Sequence, residues 1–324
     1  MNNEPSEQNA FRIDFHHHIV PNFYRDALSG AGVADIGRVP FPDWSEDQML
    51  KQMVRLSVHK AILSLSAPGV DVGNAEKTGA LAAKSNDFMF DLKRKYSPRI
   101  DYFATLPLPD VDRSMQELER IAPQKPAGVI LLTNYDGNYL GTAKFSPLLE
   151  ELNRRRTLVF IHPTLPTYIA SLNLDLPPPI LEFVFDTTRM LGDMIFNGTF
   201  DRYPNIRWIV AHLGGALPFL AWRLSLIEYS SRGAYAAFRE RGRSVLDYLR
   251  GLYYDTAVSA GPASIAALLE LVGPSRIVYG SDVPFAPLPF VERTTQALTA
   301  YHQLDAAAQE TIAHGNGEKL LSGA

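Results

Sequence analysis

The segment Ile13–His18 reads Ile-Asp-Phe-His-His-His and joins a short apolar run to three consecutive histidines. Side chains of an extended strand alternate between its two faces, so we expect His16 and His18 to point to the same side and His17 to point away. Two imidazoles on one face at a strand end are well placed to bind one metal ion. The segment therefore predicts a strand that ends in a metal site.

The same arrangement occurs three more times along the chain. Short apolar runs also stop at His162, at His212 and at Asp282. Histidine and aspartate are residue types that bind metals and transfer protons. Their repetition at strand ends indicates that distant parts of the chain contribute to one site.

Eight short apolar runs alternate with stretches of helical periodicity. Strands that are buried on both faces are mostly apolar and rich in branched or aromatic residues, as these runs are. Eight βα units close a (β/α)8 TIM barrel, an α/β fold in which the carboxyl ends of all strands meet at one mouth. The predicted strands are Arg12–His16, Lys60–Ser64, Tyr102–Thr105, Gly128–Leu132, Leu158–Ile161, Trp208–Ala211, Leu252–Asp255 and Ile277–Tyr279.

The barrel is expected to form a single domain over residues 12–324. Extended βα loops are predicted at residues 20–44 and 164–180, where they would lie over the mouth. The first ten residues are polar and lack the apolar segment of a signal peptide, so residues 1–11 are predicted to be a disordered tail. Helical spacing is expected over residues 74–95, 112–121, 146–155, 178–197, 217–229 and 262–272.

The composition of this 324-residue chain argues against several classes of partner and site. A net charge of −4 argues against a nucleic-acid partner, and no apolar run is long enough to cross a membrane. The chain has no cysteine, which excludes disulfides, thiolate catalysis and sulfur-ligated zinc. With no export signal, the cytoplasm is the expected compartment.

Barrel topology would bring four candidate ligands to one mouth, namely His16, His18, His162 and Asp282. Three imidazoles and a carboxylate suit Zn²⁺, at about 2.0–2.2 Å per ligand, with Mn²⁺ and Fe²⁺ as alternatives. The loop after the fourth strand contains no lysine that would bridge a second metal, so we predict a single divalent ion.

A single ion leaves His212 free for proton transfer. Imidazoles exchange protons near neutral pH, so His212 is the predicted general acid or base. Asp282 is predicted to take part in the same proton transfer in addition to binding the metal. Tyr135 and Trp44 are candidate aromatic walls of the substrate pocket.

Five motifs together resemble the amidohydrolase superfamily, and within it the aminocarboxymuconate-semialdehyde decarboxylase branch. The resemblance extends over about residues 12–322. Residues 107–112, 131–137 and 253–257 are similar to members associated with 6-methylsalicylate decarboxylation. The motifs are Asp14-x-His16-x-His18, His162-Pro163, His212-Leu213-Gly214-Gly215, Gly280-Ser281-Asp282-x-Pro284-Phe285 and Gly315-Asn316-Gly317-Glu318-Lys319-Leu320-Leu321.

The resemblance implies a homodimeric, mononuclear metal enzyme that removes CO₂ without oxidation. It implies the same four ligands and the same acid–base histidine. It also implies that Arg223 binds the substrate carboxylate from a neighbouring subunit, that Phe285 is a pocket aromatic, and that Arg38 aligns loosely with a second arginine. Val283 stands where the family has an aromatic residue, so we expect a reshaped pocket.

Decarboxylation of a small aromatic, salicylate-like or dienoic carboxylic acid is therefore the predicted reaction. Protonation of the carbon that bears the carboxylate breaks conjugation, and Asp282, or His212 acting through it, would deliver the proton. The alternative is hydrolysis of a lactone, ester or amide by a metal-bound hydroxide, with the same residues. A barrel kept as a non-catalytic scaffold is the third possibility, although a scaffold has no need of five converging residues.

Overall fold

The computed structural model describes residues 11–323. Eight parallel strands follow one another in sequence order around a single sheet, which confirms the predicted (β/α)8 TIM barrel. Each predicted strand is present, with ends shifted by a few residues. The strands are β1 Arg12–His18, β2 Val58–Ser64, β3 Ile100–Ala104, β4 Gly128–Leu132, β5 Leu158–His162, β6 Arg207–Val210, β7 Tyr253–Asp255 and β8 Ile277–Val278.

The barrel closes between β1 and the segment that follows β8. The Phe15 N–H donates to the Tyr279 carbonyl at 3.0 Å, and the His18 N–H donates to the Val283 carbonyl at 2.7 Å. Between them, the Asp282 N–H donates to the His16 carbonyl at 2.7 Å. The seam of the barrel therefore fixes two predicted metal ligands next to each other.

The helices surround the sheet, and several begin at side-chain caps. The Ser45 hydroxyl accepts from the Gln48 N–H at 3.2 Å, and Asn74 and Asp110 cap the next two helices in the same way. The helices are α1 Asn22–Gly30, α2 Glu46–Arg55, α3 Ala75–Lys95, α4 Val111–Ile121, α5 Ser146–Arg154, α6 Pro179–Phe196, α7 Thr199–Arg202, α8 Leu217–Ser225, α9 Ala236–Arg239, α10 Val245–Arg250, α11 Pro262–Val272, α12 Leu288–Thr299, α13 Ala306–Glu310 and α14 Asn316–Ser322.

Two segments differ from the sequence prediction. The stretch expected as one loop at residues 20–44 contains α1 and a short antiparallel hairpin, Asp35–Ile36 with Val39–Pro40. Helix α1 forms because Tyr24 and Leu28 are buried against the barrel, a tertiary contact that local periodicity does not reveal. The helix predicted to run to Tyr229 ends at Ser225 and continues as a tighter 3₁₀ segment.

Alternating strand residues divide the apolar core into an interior and an outer layer. A register shift in β1 between Asp14 and His17 allows both Phe15 and His16 to face the interior, which strict alternation would forbid. The predicted ligand residues therefore lie directly above an apolar cluster that fills the barrel interior, here called the plug. The plug contains Ala211, which directly follows β6, and the strand residues Ile13, Phe15, Ile62, Phe103, Ile130, Leu158, Phe160, Ile209 and Val278.

The predicted tail at residues 1–11 lies outside the described residues except for Phe11. The Phe11 ring stacks on the His59 ring, with centroids 4.7 Å apart. Over residues 11–323, no helix combines the length and the apolar character that a membrane span requires.

Replacing Gly128 with alanine tests the close packing between β4 and β5. A Cβ at Gly128 would lie 2.0 Å from the Leu158 carbonyl oxygen, so one strand must move. We expect Gly128→Ala to lower the free energy of unfolding by about 2 kcal/mol or more, measured by urea unfolding. The control is Gly192→Ala in α6, where nothing apart from the adjacent backbone of the same helix lies within 4 Å of the new Cβ. Alanine favours a helix, so this control should unfold at the same or a higher urea concentration, and equal losses in both variants would contradict the packing.

Candidate metal and active site

The five residues predicted from strand ends converge at the mouth of the barrel. Asp282 is at the centre of the group, with Oδ1 3.3 Å from His16 Nε2 and 3.4 Å from His18 Nε2. Its Oδ2 lies 3.5 Å from His212 Nε2. The His162 ring is 5.1 Å from the His16 ring and 4.9 Å from the His18 ring, measured between centroids. Residues separated by up to 266 positions in sequence therefore form one cluster.

The opposite nitrogen of each ligand ring is held by a hydrogen bond. His16 Nδ1 lies 2.7 Å from Asp255, and His18 Nδ1 lies 3.0 Å from the Ser64 hydroxyl. His162 Nδ1 lies 2.7 Å from the Pro163 carbonyl. These contacts turn the Nε2 atoms toward the shared space, and the buried Nε2 atoms of His16 and His18 have no hydrogen-bond partner among the described residues.

This donor set fits a divalent metal ion. Buried polar atoms normally have a partner, and two orphaned imidazole nitrogens aimed at one carboxylate are best explained by coordination. Ring nitrogens fixed by outer hydrogen bonds are typical of histidine ligands in metal sites. The residues therefore form a divalent metal site.

Burial and charge set the protonation of the ligands. Burial lowers the pKa of His18 to about 4 and holds the pKa of His162 well below its ordinary value, so both imidazoles are neutral and able to bind a cation. Burial alone would also lower the pKa of His16, but the carboxylates of Asp255 and Asp282 outweigh it and raise the pKa to about 10. A metal ion therefore displaces one proton when it binds.

Asp282 is ionised in this environment. Burial would raise the pKa of Asp282, but the charge of His16 and the surrounding imidazoles hold that pKa well below its usual range. The cluster thus offers a carboxylate together with imidazoles, as the sequence predicts.

His212 lies close enough to serve either as a ligand or as a proton donor. Candidate ligand atoms of His16, His162, His212 and Asp282 all lie within 4.8 Å of one another, a grouping that includes His212 and omits His18. His18 is nevertheless 3.4 Å from the shared carboxylate, so two overlapping ligand sets are available. Substitution of His212 distinguishes them, as described below.

The backbone at two of these residues is strained. His212 has φ of 56° and Asp282 has φ of 67°, a left-handed conformation that residues other than glycine rarely adopt. The His212 N–H is held by Asp255 at 3.0 Å, and the Asp282 N–H by the His16 carbonyl. Fixed hydrogen bonds therefore maintain the geometry that points both side chains inward.

An apolar cavity of about 460 Å³ opens above the cluster. His162, His212 and Asp282 form its polar floor, and no lysine or arginine is among the described residues that line it. Its size is in the range of small-ligand pockets. The walls contain Ile36, Val39, Ser66, Pro179, Ile180, Phe183, Val184, Val258, Ser259, Phe285, Ala286, Pro287 and Phe290.

Two residues of the aspartate motif, Phe285 and Val283, differ in whether they line the cavity. The Phe285 ring lines the cavity and lies 5.6 Å from the His18 ring. Val283 is fully buried and does not line the cavity, and its carbonyl accepts a hydrogen bond from the His18 N–H.

Two other predicted substrate contacts, Arg38 and Tyr135, point elsewhere in this chain. Arg38 is exposed and donates to the carbonyls of Leu174 and Leu176, joining the two loops above the mouth. The Tyr135 hydroxyl accepts from the Leu132 N–H at 2.9 Å instead of facing the cavity.

Trp44 and Arg223 also lie away from the cavity. The Trp44 ring packs edge-on against Phe88, at 5.8 Å, on the outer layer of the core. Arg223 is exposed on α8 and does not line the cavity of its own chain. The geometry of local turns and side-chain directions decides these positions, and residue type alone does not reveal them.

The sequence analysis did not identify the residues that orient the metal-binding histidines through hydrogen bonds. Asp255 and Ser64 anchor two ligand rings, and Asp14 accepts hydrogen bonds from the His16 and Ser281 N–H groups. Both Asp255 and Ser64 are the last residues of their strands, so the strand-end signal that identified the ligands also applies to them.

The family comparison covers the same residues as the barrel. The family model described as Amidohydrolase matches residues 13–322. This chain belongs to the amidohydrolase family. A 6-methylsalicylic acid decarboxylase of Penicillium expansum is 33% identical to this amidohydrolase, over 90% of this chain and 90% of the relative.

Solved structures show the same fold. A crystal structure of an amidohydrolase II is 30% identical and superposes with a TM-score of 0.89, covering 96% of this amidohydrolase and 99% of that chain. A 5-carboxyvanillate decarboxylase of Novosphingobium aromaticivorans is 24% identical, with a TM-score of 0.83 over 98% of this chain and 97% of that one. That protein was crystallised with manganese and 4-hydroxy-3-methoxy-5-nitrobenzoic acid.

Two histidine variants separate metal binding from proton transfer. His162→Ala should lose metal and activity together, because it removes a buried ligand. His212→Asn should keep the metal and lose turnover, as measured by metal analysis of the purified protein and by initial rates. A His212→Asn protein that loses its metal would show that His212 is a ligand, and one with full activity would remove its proposed role in proton transfer.

Gly280→Ala tests how tightly the site is packed. A Cβ at this position would lie 2.8 Å from the His16 Cβ and 3.1 Å from the Asp255 Cβ, so the ring of His16 must shift. We expect metal affinity to fall at least about tenfold, measured by competition with a chelator. Gly192→Ala is again the control, and equal affinities in the two variants would contradict this account.

Proposed function

We propose that this amidohydrolase is a metal-dependent, non-oxidative decarboxylase of small hydroxybenzoates that resemble salicylate. The observation that carries the proposal is the cluster of imidazoles and one carboxylate at the floor of an apolar cavity. The 6-methylsalicylic acid decarboxylase of Penicillium expansum, similar over nine-tenths of both chains, supports the same reaction.

A single zinc ion is the proposed cofactor, with Mn²⁺ as the competing ion. His16, His18, His162 and Asp282 would hold it, since three imidazoles and a carboxylate suit zinc. A bound divalent cation stabilises negative charge on substrate oxygens as a Lewis acid. This role matters here because no lysine or arginine is among the described residues that line the cavity.

His212 and Asp282 are the proposed proton relay. His212 Nε2 and Asp282 Oδ2 lie 3.5 Å apart, and both residues line the cavity. A proton from His212 passes by way of Asp282 to the ring carbon that bears the carboxylate, which interrupts the conjugation of the ring. The bond to the carboxylate then breaks, its electron pair restores the aromatic ring, and CO₂ leaves.

The cavity walls indicate the kind of ring that fits. Phe285, Phe183 and Phe290 provide apolar surface, and Ser66 and Ser259 are the hydroxyl side chains among the lining residues. A ring with one hydroxyl next to its carboxylate and small apolar substituents matches this lining. A second carboxylate on the ring would lose its hydration without a partner, so such acids are the disfavoured substrates.

A homodimer is the proposed assembly, with α8 and the segment after it at the interface. Phe219 and Trp222 are 83% and 71% exposed, and their spacing places them on one face of α8. Tyr229, at the end of the 3₁₀ segment that follows, is 83% exposed. Exposed apolar groups of this size typically mark a protein contact. Arg223 is exposed on the same helix, and in the proposed dimer it would bind the substrate carboxylate in the site of the second subunit.

Measuring CO₂ release tests the reaction directly. The purified protein, loaded with zinc or with manganese, is incubated with salicylate, 6-methylsalicylate and 2,6-dihydroxybenzoate. We expect metal-dependent release of CO₂ and the corresponding phenol, lost on chelation and restored by metal. Turnover of aryl esters or lactones without CO₂ release would support the hydrolase instead, and inactivity toward every substrate by the metal-loaded protein would contradict both.

Mixed dimers test whether Arg223 acts in the neighbouring subunit. Arg223→Gln and Asp282→Asn homodimers should each be nearly inactive. After subunit exchange, each mixed dimer contains one site with both residues intact, so activity should reappear. No recovery in verified mixed dimers would place Arg223 outside the site of the neighbouring subunit.

A further inference from the structure

Asp255 is a fully buried carboxylate that the proposed reaction does not use. It is the last residue of β7, lies between the ends of β6 and β8 and is 0% exposed. An ionised group at this depth is costly unless every oxygen has a partner. Its contacts therefore indicate what the residue does.

The two oxygens of Asp255 serve two different residues of the site. Oδ2 lies 2.7 Å from His16 Nδ1. Oδ1 accepts the His212 N–H at 3.0 Å and the Ala257 N–H at 2.9 Å. One carboxylate thus contacts the ring of a metal ligand and the backbone of the proton-transfer residue.

The contact with His16 determines which ring nitrogen carries a proton. A carboxylate accepts hydrogen bonds and does not donate them, so Nδ1 of His16 must be the protonated nitrogen. The neutral ring then has a lone pair on Nε2, the atom that faces Asp282 and the metal position. Without this contact, either nitrogen can carry the proton.

The contact with His212 maintains a strained turn. His212 and Leu213 have φ of 56° and 55°, and the Asp255 oxygen anchors the N–H at the start of this turn. Loss of the anchor allows the turn to relax and the imidazole to leave the cavity floor.

We propose that Asp255 is a positioning residue that couples the metal ligand His16 to the proton donor His212. It fixes the tautomer of His16 and the backbone of His212 through its two oxygens. The inference rests on the metal site of the proposed function, but it does not depend on the identity of the substrate.

Asp255→Asn separates the two roles. The amide oxygen will occupy the Oδ1 position, because two backbone N–H groups donate there, so the NH₂ group will face His16 Nδ1. That donor requires an unprotonated Nδ1 and moves the proton to Nε2. We expect zinc affinity to fall roughly 10- to 100-fold, measured by chelator competition, while saturating zinc restores most of kcat.

Asp255→Ala removes both contacts. It should weaken zinc binding to a similar degree, but saturating zinc should leave kcat low because His212 has lost its anchor. Recovery of full kcat by zinc in this variant would overturn the role at His212. Wild-type zinc affinity in Asp255→Asn would overturn the role at His16.

Asp186→Asn is the matched control. Asp186 is also a 0% exposed carboxylate with several hydrogen-bond donors, among them Tyr139 and Asn134, and it contacts none of the five site residues. It should lose thermal stability without losing zinc affinity. An equal loss of zinc affinity in this control would show that any buried carboxylate has the same effect, and would overturn the proposal.

A measurement on the wild-type protein covers the case in which a variant fails to fold. In the zinc-loaded protein with ¹⁵N-labelled histidine, the Nδ1 proton of His16 should resonate far downfield, because it is shared with a buried carboxylate. Absence of such a proton would overturn the inference. If the wild-type protein binds no zinc or manganese at all, the proposed function itself fails, which is a different outcome.

Discussion

The hydrogen bond from the Asp282 N–H to the His16 carbonyl, 2.7 Å long, lies at the centre of the barrel seam and joins two residues of the site. Parallel strands bring their carboxyl ends to one mouth, but an open seam would leave the first and last units free to move apart. Because the seam is at the ligands, the stability of the barrel and the geometry of the metal site depend on the same backbone pairing. The left-handed φ of Asp282 is maintained by this pairing.

Carboxylate and imidazole charges balance one another in this buried, mostly apolar site. The carboxylates of Asp282 and Asp255 are on either side of His16 and raise its pKa, while burial keeps His18 and His162 neutral. A divalent cation fits this arrangement because it replaces a single proton and satisfies the nitrogens that the protein leaves without partners. An acidic substrate then enters a cavity with no lysine or arginine among the described residues that line it.

The parts of the structure that repeat were predictable from the sequence. Eight apolar runs with helical spacing between them predict the barrel, and the residues at their ends predict the convergence of His16, His18, His162, His212 and Asp282. The positions of Arg38, Tyr135 and Trp44 were not predictable, because loop residues adopt directions set by turn geometry and by contacts with other loops. Helix α1 was missed for a related reason, since it is stabilised by burial of Tyr24 and Leu28 more than by its own pattern.

The metal-loaded structure, solved by crystallography with anomalous scattering at the zinc edge, tests the central claim most directly. The account predicts one ion at the mouth, with His16, His18, His162 and Asp282 each about 2.0–2.2 Å away, and with His212 facing the cavity outside the coordination shell. An ion bound away from this cluster, or coordinated by His212 in place of His18, would contradict it.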